Sequence, residues 1–138
     1  MAKRIQLEVV TPERIVERTE VDIVVAPGYD GEFGVLPGHI PFLTSLQIGE
    51  MYYRDGSTTR YFAVSGGYAE VLPDKVTILA ESAEAAREID VDRARRARER
   101  AEERIRRAKE ENLDYYLVES ELRRAIVRLK VAERRLSA

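Results

Sequence analysis

The chain has 138 residues, enough for one domain or two small ones. It is 44% hydrophobic, so its composition supports a core, and 35% charged, against roughly 25% for an average soluble protein. Its net charge is only -2, which argues against a dedicated nucleic-acid binder. The absence of cysteine excludes disulfides, thiolate metal sites and cysteine nucleophiles, and the single histidine, His39, excludes a multi-histidine metal centre. Apolar runs fall far short of the ~20 residues that cross a bilayer. Met1-Ala2-Lys3-Arg4 runs straight into a strand-like pattern, so neither a signal peptide nor a transit peptide is expected.

The charge and the turn-formers divide the chain near Ala83–Arg87. All eight glycines lie at or before Gly67 and all five prolines at or before Pro73. Residues 1–86 hold 7 Lys+Arg against 13 Asp+Glu, and residues 87–138 hold 16 against 12. The expected units are a strand-rich 1–86 and a helical 87–138, because a long stretch without glycine or proline favours helix.

In the first unit, Ile5-Gln6-Leu7-Glu8-Val9 alternates apolar and polar residues, the pattern of a half-buried strand. Val21-Asp22-Ile23-Val24-Val25 and Lys75-Val76-Thr77-Ile78-Leu79 are short and β-branched, as strands are. Met51–Arg54 and Arg60–Val64 flank Asp55-Gly56, a hairpin-turn dipeptide. Gly66-Gly67 reads as a bulge or turn, since the helix and lysine of a phosphate loop do not follow it. Leu36-Pro37-Gly38-His39 is a rigid turn. His39 has the ordinary reading of a structural residue, because a catalytic role needs a nucleophile and an orienting partner that are not evident. The pattern predicts an antiparallel β-sandwich or barrel.

In the second unit, Val91, Ala94, Ala97, Ala101, Ile105 and Ala108 recur at spacings of three and four, predicting a helix with a narrow alanine face. Asn112 suits a left-handed helix end and Asp114 an N-cap. A second helix carries Val118, Leu122, Ala125, Leu129, Ala132 and Leu136 on one face. A short loop between amphipathic helices predicts an antiparallel hairpin. The fold class is therefore α+β, a β-sandwich followed by a two-helix hairpin.

The arginines fall into stripes. Arg93, Arg96, Arg100, Arg104 and Arg107 lie about 90° to one side of the first apolar face, and Arg124, Arg128 and Arg135 about 100° to one side of the second, at ~100° per residue. Antiparallel packing brings both stripes out on the same side, with Arg100 level with Arg124 and Arg96 with Arg128. Two readings stand. A solvated charged face would pair these arginines with Glu99, Glu103 and Glu121. Alternatively, the converging guanidiniums would bind a polyphosphate, whose oxygens they match bidentately. Asp90 is either the N-cap of the first helix or an acceptor toward a ligand.

Several segments in this order carry a family resemblance: Gly31-Glu32-Phe33-Gly34 leading into Val35-Leu36-Pro37-Gly38-His39, Ser65-Gly66-Gly67, Glu70-Val71, Val76–Ala80, Ile89-Asp90-Val91-Asp92-Arg93-Ala94, Arg124-Ala125 and Val131-Ala132-Glu133. Together they resemble the epsilon subunit of the bacterial rotary ATP synthase, over essentially the whole chain. The resemblance implies a non-catalytic stalk subunit with no metal and no required cofactor. Its sandwich would bind the gamma subunit and the c-ring, with Glu32 and His39 in the facing regions. Its hairpin would be mobile: folded on the sandwich it permits ATP hydrolysis, and extended it meets the alpha and beta subunits and inhibits. Arg123, Arg124 and Arg128 would make that inhibitory contact.

In several bacterial members of the family, ATP binds and stabilises the folded hairpin. Their Ile/Leu-Asp-x-x-Arg-Ala pattern is matched by Ile89, Asp90, Arg93 and Ala94, and further family positions by Glu84, Arg100, Arg124 and Arg128. Asp90 and Glu84 would help hold the adenosine and the arginines would face the phosphates. The implied location is peripheral, on the cytoplasmic face of the bacterial membrane, without insertion into it. Three other readings compete: a purely structural stalk subunit whose arginines bind nothing, a basic helical nucleic-acid module, and a cupin-like enzyme, which the single histidine disfavours.

Overall fold

The computed structural model describes residues 3–108 and 114–136, the last by its backbone alone. Two five-stranded sheets form a sandwich. The first has the order β2-β1-β9-β8-β5, from β1 (Ile5–Val10), β2 (Ile15–Val21), β5 (Phe42–Ser45), β8 (Tyr68–Val71) and β9 (Lys75–Leu79). The second has the order β10-β7-β6-β3-β4, from β3 (Ile23–Gly28), β4 (Gly31–Val35), β6 (Gly49–Asp55), β7 (Thr58–Ser65) and β10 (Ser82–Ala85). Pairing is antiparallel except between β1 and β9, which run parallel. That pair joins distant parts of the chain, so no local turn signal announces it.

Alternation builds the core. Ile5, Leu7 and Val9 of β1 point inward with Val76 and Ile78 of β9, and Phe62 and Val64 of β7 meet them from the other sheet. The expected strand over 21–25 is broken at Asp22, where the chain passes from the first sheet to the second. Asp22 serves that crossing through hydrogen bonds. Its N–H donates to the Arg54 carbonyl at 2.8 Å, and its carboxylate accepts the Gly56 N–H at 2.7 Å. The β6–β7 turn sits one residue later than the dipeptide predicts, because Asp55 already pairs with Thr58 and Gly56 enters the turn at φ +60°. At Gly67, φ is +100° and a Cβ would lie 1.9 Å from the Leu79 carbonyl oxygen, so close strand approach requires glycine there.

A 3-10 turn (Ala86–Glu88) leads to α1 (Val91–Ala108) and α2 (Tyr115–Glu133), which ends in a second 3-10 turn (Arg134–Leu136). Asp90 caps α1, its Oδ1 accepting the Arg93 N–H at 3.1 Å. Asp114 caps α2 through the Leu117 N–H at 3.2 Å. The alanine face of α1 is buried at Ala94, Ala101 and Ala108, against Val118, Ala125 and Ala132 on the expected face of α2. Asn112, and the side chain of Leu136, lie outside the described residues.

The hairpin is folded on the sandwich. Val131, absent from the expected apolar face, is fully buried, because α2 packs on β7 as well as on α1. Ala63, Ala86, Ile89, Ala94, Val131 and Ala132 form a small second core there, flanked by Tyr61, Val91, Val127 and Leu129. Arg134 adds a two-pronged grip on Glu50 of β6, at 3.1 and 3.2 Å, and lies 5.0 Å from the Tyr61 ring centroid. The Glu50 hydrogen bonds raise the Arg134 pKa above its ordinary value.

Candidate functional site

The site is an open cleft of about 530 Å³ where α1, α2 and β10 meet. Ligand pockets commonly span ~300–1,000 Å³. Helical spacing puts Arg100 and Arg104 on the same flank of α1, one turn apart, and Arg124 and Arg128 on the facing flank of α2. Ala97, Ala101 and Ala125 form the floor, small enough to leave the arginine heads room above them. Ser82 and Glu84 of β10 close one wall, and Glu121 of α2 lies on the lining as well.

The four guanidiniums are not alike. Arg104 is bonded to Glu121, tying the two helices together. Arg128 reaches across to Glu84: its Nη2 donates to Oε2 at 3.1 Å, while its Nε lies 2.7 Å from Oε1 but out of line for a hydrogen bond. That Nε is buried without an aligned acceptor. Arg100 and Arg124 form no ion pair among the described residues. Four cations and two carboxylates thus line the cleft, leaving a local excess of two positive charges. Guanidiniums gathered in this way repel one another, and an anion with several oxygens relieves the repulsion.

The rest of the expected stripes diverges. Arg96 is exposed on α1 and does not line the cleft. Arg107 pairs with Glu103 at 3.7 Å. Arg135 lines a separate cavity of about 220 Å³ beside Arg60, Arg87 and Arg134. Of the carboxylates in the solvated-face reading, Glu121 pairs with Arg104. Of that reading's other carboxylates, Glu103 pairs with Arg106 and Arg107 within α1.

Glu84, Arg100, Arg124 and Arg128 therefore share the cleft. Ile89 and Ala94 are buried in the second core, Asp90 is occupied in capping, and the Arg93 side chain is exposed. Arg123, exposed on α2, reaches Gln47 of the sandwich at 3.5 Å. Among the described residues no cluster of acidic and histidine side chains is placed to hold a metal ion.

Two further surfaces stand out on the sandwich. Gly38, at φ +86°, completes a tight turn in which the His39 N–H donates to the Leu36 carbonyl at 3.2 Å. The His39 ring donates from Nδ1 to the Ile40 carbonyl at 2.7 Å and lies 5.2 Å from Phe42. Beside it Leu36 and Ile40 are exposed, and the Gly38 N–H joins this turn to Pro73, next to exposed Leu72. Glu32 is exposed on β4.

The second surface crosses the outer face of the first sheet. There Tyr68, Leu79, Val10 and Ile15 are direct neighbours from strand to strand, and Tyr68, Leu79 and Ile15 are each at least half exposed. Sequence reasoning missed this row because its members come from four strands whose register is not written locally. The exposed residues of alternating strands are its only trace. Among the described residues no helix is long and apolar enough to cross a membrane.

Residues 4–86 match the family model described as ATP synthase, Delta/Epsilon chain, beta-sandwich domain. Residues 87–133 match its companion, the long alpha-helix domain. The ATP synthase epsilon chain of Syntrophobacter fumaroxidans is 60% identical over 134 residues, covering 97% of this chain and 99% of that one. That of Nitratidesulfovibrio vulgaris is 52% identical over 131 residues, covering 95% and 97%. In fold, the chain resembles one in a cryo-EM structure of the Euglena gracilis mitochondrial ATP synthase, with TM-score 0.67, 24% identity and coverage of 99% of this chain and 82% of that one. Sandwich, hairpin and both family models thus account for nearly the whole length, and this chain belongs to the delta/epsilon family of the ATP synthase, as an epsilon chain of the F-type enzyme.

Proposed function

We propose that this epsilon chain is a regulatory, non-catalytic subunit of the central stalk. Its hairpin binds ATP when folded and blocks ATP hydrolysis when extended. The observation that carries the reading is the cleft itself: Arg100 from α1 and Arg124 from α2 line it without an ion-pair partner among the described residues. The phosphates meet those two guanidiniums, with Arg128 beside them and Glu84 toward the adenosine. ATP acts as an effector there, since neither a catalytic base nor a metal cluster is apparent among the described residues. Once the hairpin extends, Arg123, Arg124 and Arg128 turn toward acidic surface on the alpha and beta subunits.

The sandwich attaches to the gamma subunit and the c-ring. The exposed apolar surfaces support this, the row Tyr68–Leu79–Val10–Ile15 and the Leu36–Ile40 turn with His39, together with exposed Glu32 on β4. Apolar patches of this kind on a soluble domain mark contact surfaces. Through these contacts the subunit helps couple rotation to proton flow at the cytoplasmic face of the bacterial membrane, as a peripheral component.

Calorimetric titration of the whole chain with ATP tests the cleft. Saturable binding is expected, weakened at least tenfold by Arg124→Ala. No heat at millimolar ATP refutes nucleotide binding. A purely structural subunit is the second reading, favoured by the neutralised pairs Arg104–Glu121 and Arg128–Glu84. Deleting residues 88–138 separates the two. Hydrolysis by the assembled enzyme rises if the hairpin inhibits and stays level if it does not.

A further inference from the structure

Glu121 occupies a position that the phosphate reading leaves unexplained. It places a negative charge on the lining of a cleft otherwise suited to anions, and it spends that charge on Arg104 of the opposite helix. Its side chain is 35% exposed and that of Arg104 is 37% exposed, so the pair sits at the mouth of the cleft, open to exchange with solvent or ligand. The Arg128–Glu84 pair differs. It joins α2 to the sandwich, is less exposed on its arginine side, and keeps one nitrogen buried. Inside the cleft, then, one cation is held by a carboxylate at the mouth, one by a carboxylate of β10, and two have no ion-pair partner among the described residues.

We propose that Glu121 is an internal counter-anion, a displaceable stand-in for the terminal part of a phosphate chain. In the empty cleft it neutralises Arg104 and holds α1 to α2. A short anion satisfies Arg100 and Arg124 and leaves the pair intact. A triphosphate chain carries more charge than those two guanidiniums neutralise, so its far end competes with Glu121 for Arg104. Each contact with Arg104 is then made at the expense of the other. Glu121 thereby does two opposed things: it stabilises the folded hairpin without ligand, and it weakens the binding of long phosphate chains. This inference rests on the cleft being a phosphate site and assigns the residue that sets its strength and its preference for chain length.

The opposed signs make the test specific. Glu121→Gln removes the charge and keeps the shape and an acceptor oxygen for Arg104. Without ligand, E121Q should lower the temperature at which hairpin helicity is lost. In calorimetry on the whole chain, the same variant should bind inorganic tripolyphosphate about tenfold more tightly than the parent, since a carboxylate within several ångströms of the ligand is a repulsion of that order. Inorganic phosphate should gain less.

Because E121Q can also loosen the hairpin, the double variant Arg104→Gln/Glu121→Gln is measured beside it. Its two amides can bond one another, so ligand-free melting should recover toward that of the parent while tripolyphosphate affinity falls below that of E121Q. Equal or weaker tripolyphosphate binding in E121Q overturns the proposal, and when the parent still binds, the phosphate reading survives that result. Binding by neither protein overturns both. Binding by E121Q alone supports the counter-anion and shows that the parent cleft is self-blocked.

Discussion

Val131 tests whether the hairpin is held to the sandwich by packing. It is fully buried, and its neighbours in the second core come from β7, the turn after β10 and α1, so truncation there touches docking and not the sandwich interior. Val131→Ala deletes two methyl groups. At about 0.8 kcal/mol per buried carbon, plus a cavity term for incomplete collapse, the docked state loses about 2 kcal/mol. A change of that size alters the docked-to-undocked ratio roughly thirtyfold.

Limited trypsin digestion reads this ratio directly, because both helices are arginine-rich. When undocking is fast relative to cleavage, the cutting rate follows the open population. Cleavage within 91–133 should therefore accelerate by about the same thirtyfold factor, while the unfolding midpoint of the sandwich stays put. In the assembled enzyme the same substitution should deepen inhibition of hydrolysis. An unchanged cleavage rate, or an equal loss from the sandwich, refutes the reasoning.

Other consequences are as direct. Burial of Tyr53 and its 3.0 Å hydrogen bond to Glu17 push its pKa from 10.0 up to about 12. The unfolded chain therefore loses that proton first as pH rises. The stabilisation is complete below pH 10 and about 2 kcal/mol of it is lost by pH 12; urea unfolding of the parent and Tyr53→Phe across that range should show this slope in the parent alone. Gly67→Ala forces a Cβ against the Leu79 carbonyl and should cost more than about 4 kcal/mol in thermal unfolding. Asp114→Ala removes the cap of α2 and should cost the hairpin about 1 kcal/mol, read as helicity lost on warming, while the sandwich transition is unmoved.

What the sequence disclosed follows from how local each signal is. The alanine face of α1, the caps Asp90 and Asp114 and the alternation of β1 depend on neighbours within a few residues, and each is seen in the structure. The break at Asp22 was hidden because its β-branched flanks read as one strand, and a sheet crossing is settled by the distant partners Arg54 and Gly56. Val131 was hidden because a single helical wheel shows one apolar face, whereas α2 packs on two sides. Of the cleft, the convergence of Arg100 with Arg124 was legible from the helical period. The capture of Arg128 by Glu84, 44 residues away, was not, because it depends on where β10 lies beneath the hairpin. The split of Arg135 from the rest has the same origin: a stripe drawn on a straight helix does not show that the end of α2 lies beside Arg60 and Arg87.

The position of the cleft gives the proposed regulation its thermodynamic form. Its lining comes from α1, α2 and β10, and β10 belongs to the sandwich, so the complete cleft exists only while the hairpin is docked. A ligand that needs all three walls binds the docked state alone. By linkage it stabilises that state by about 2.7 kcal/mol at a hundredfold excess over its Kd. This exceeds the roughly 2 kcal/mol assigned to Val131 truncation. The two effects act on the same equilibrium through separate contacts, so they should add. ATP at that excess should bring trypsin cleavage of Val131→Ala back to about the rate of the ligand-free parent, and Arg124→Ala in the same background should abolish the rescue. Rescue that survives Arg124→Ala would place the stabilising ligand outside the cleft; with no rescue at all, docking and ligand binding would not be coupled.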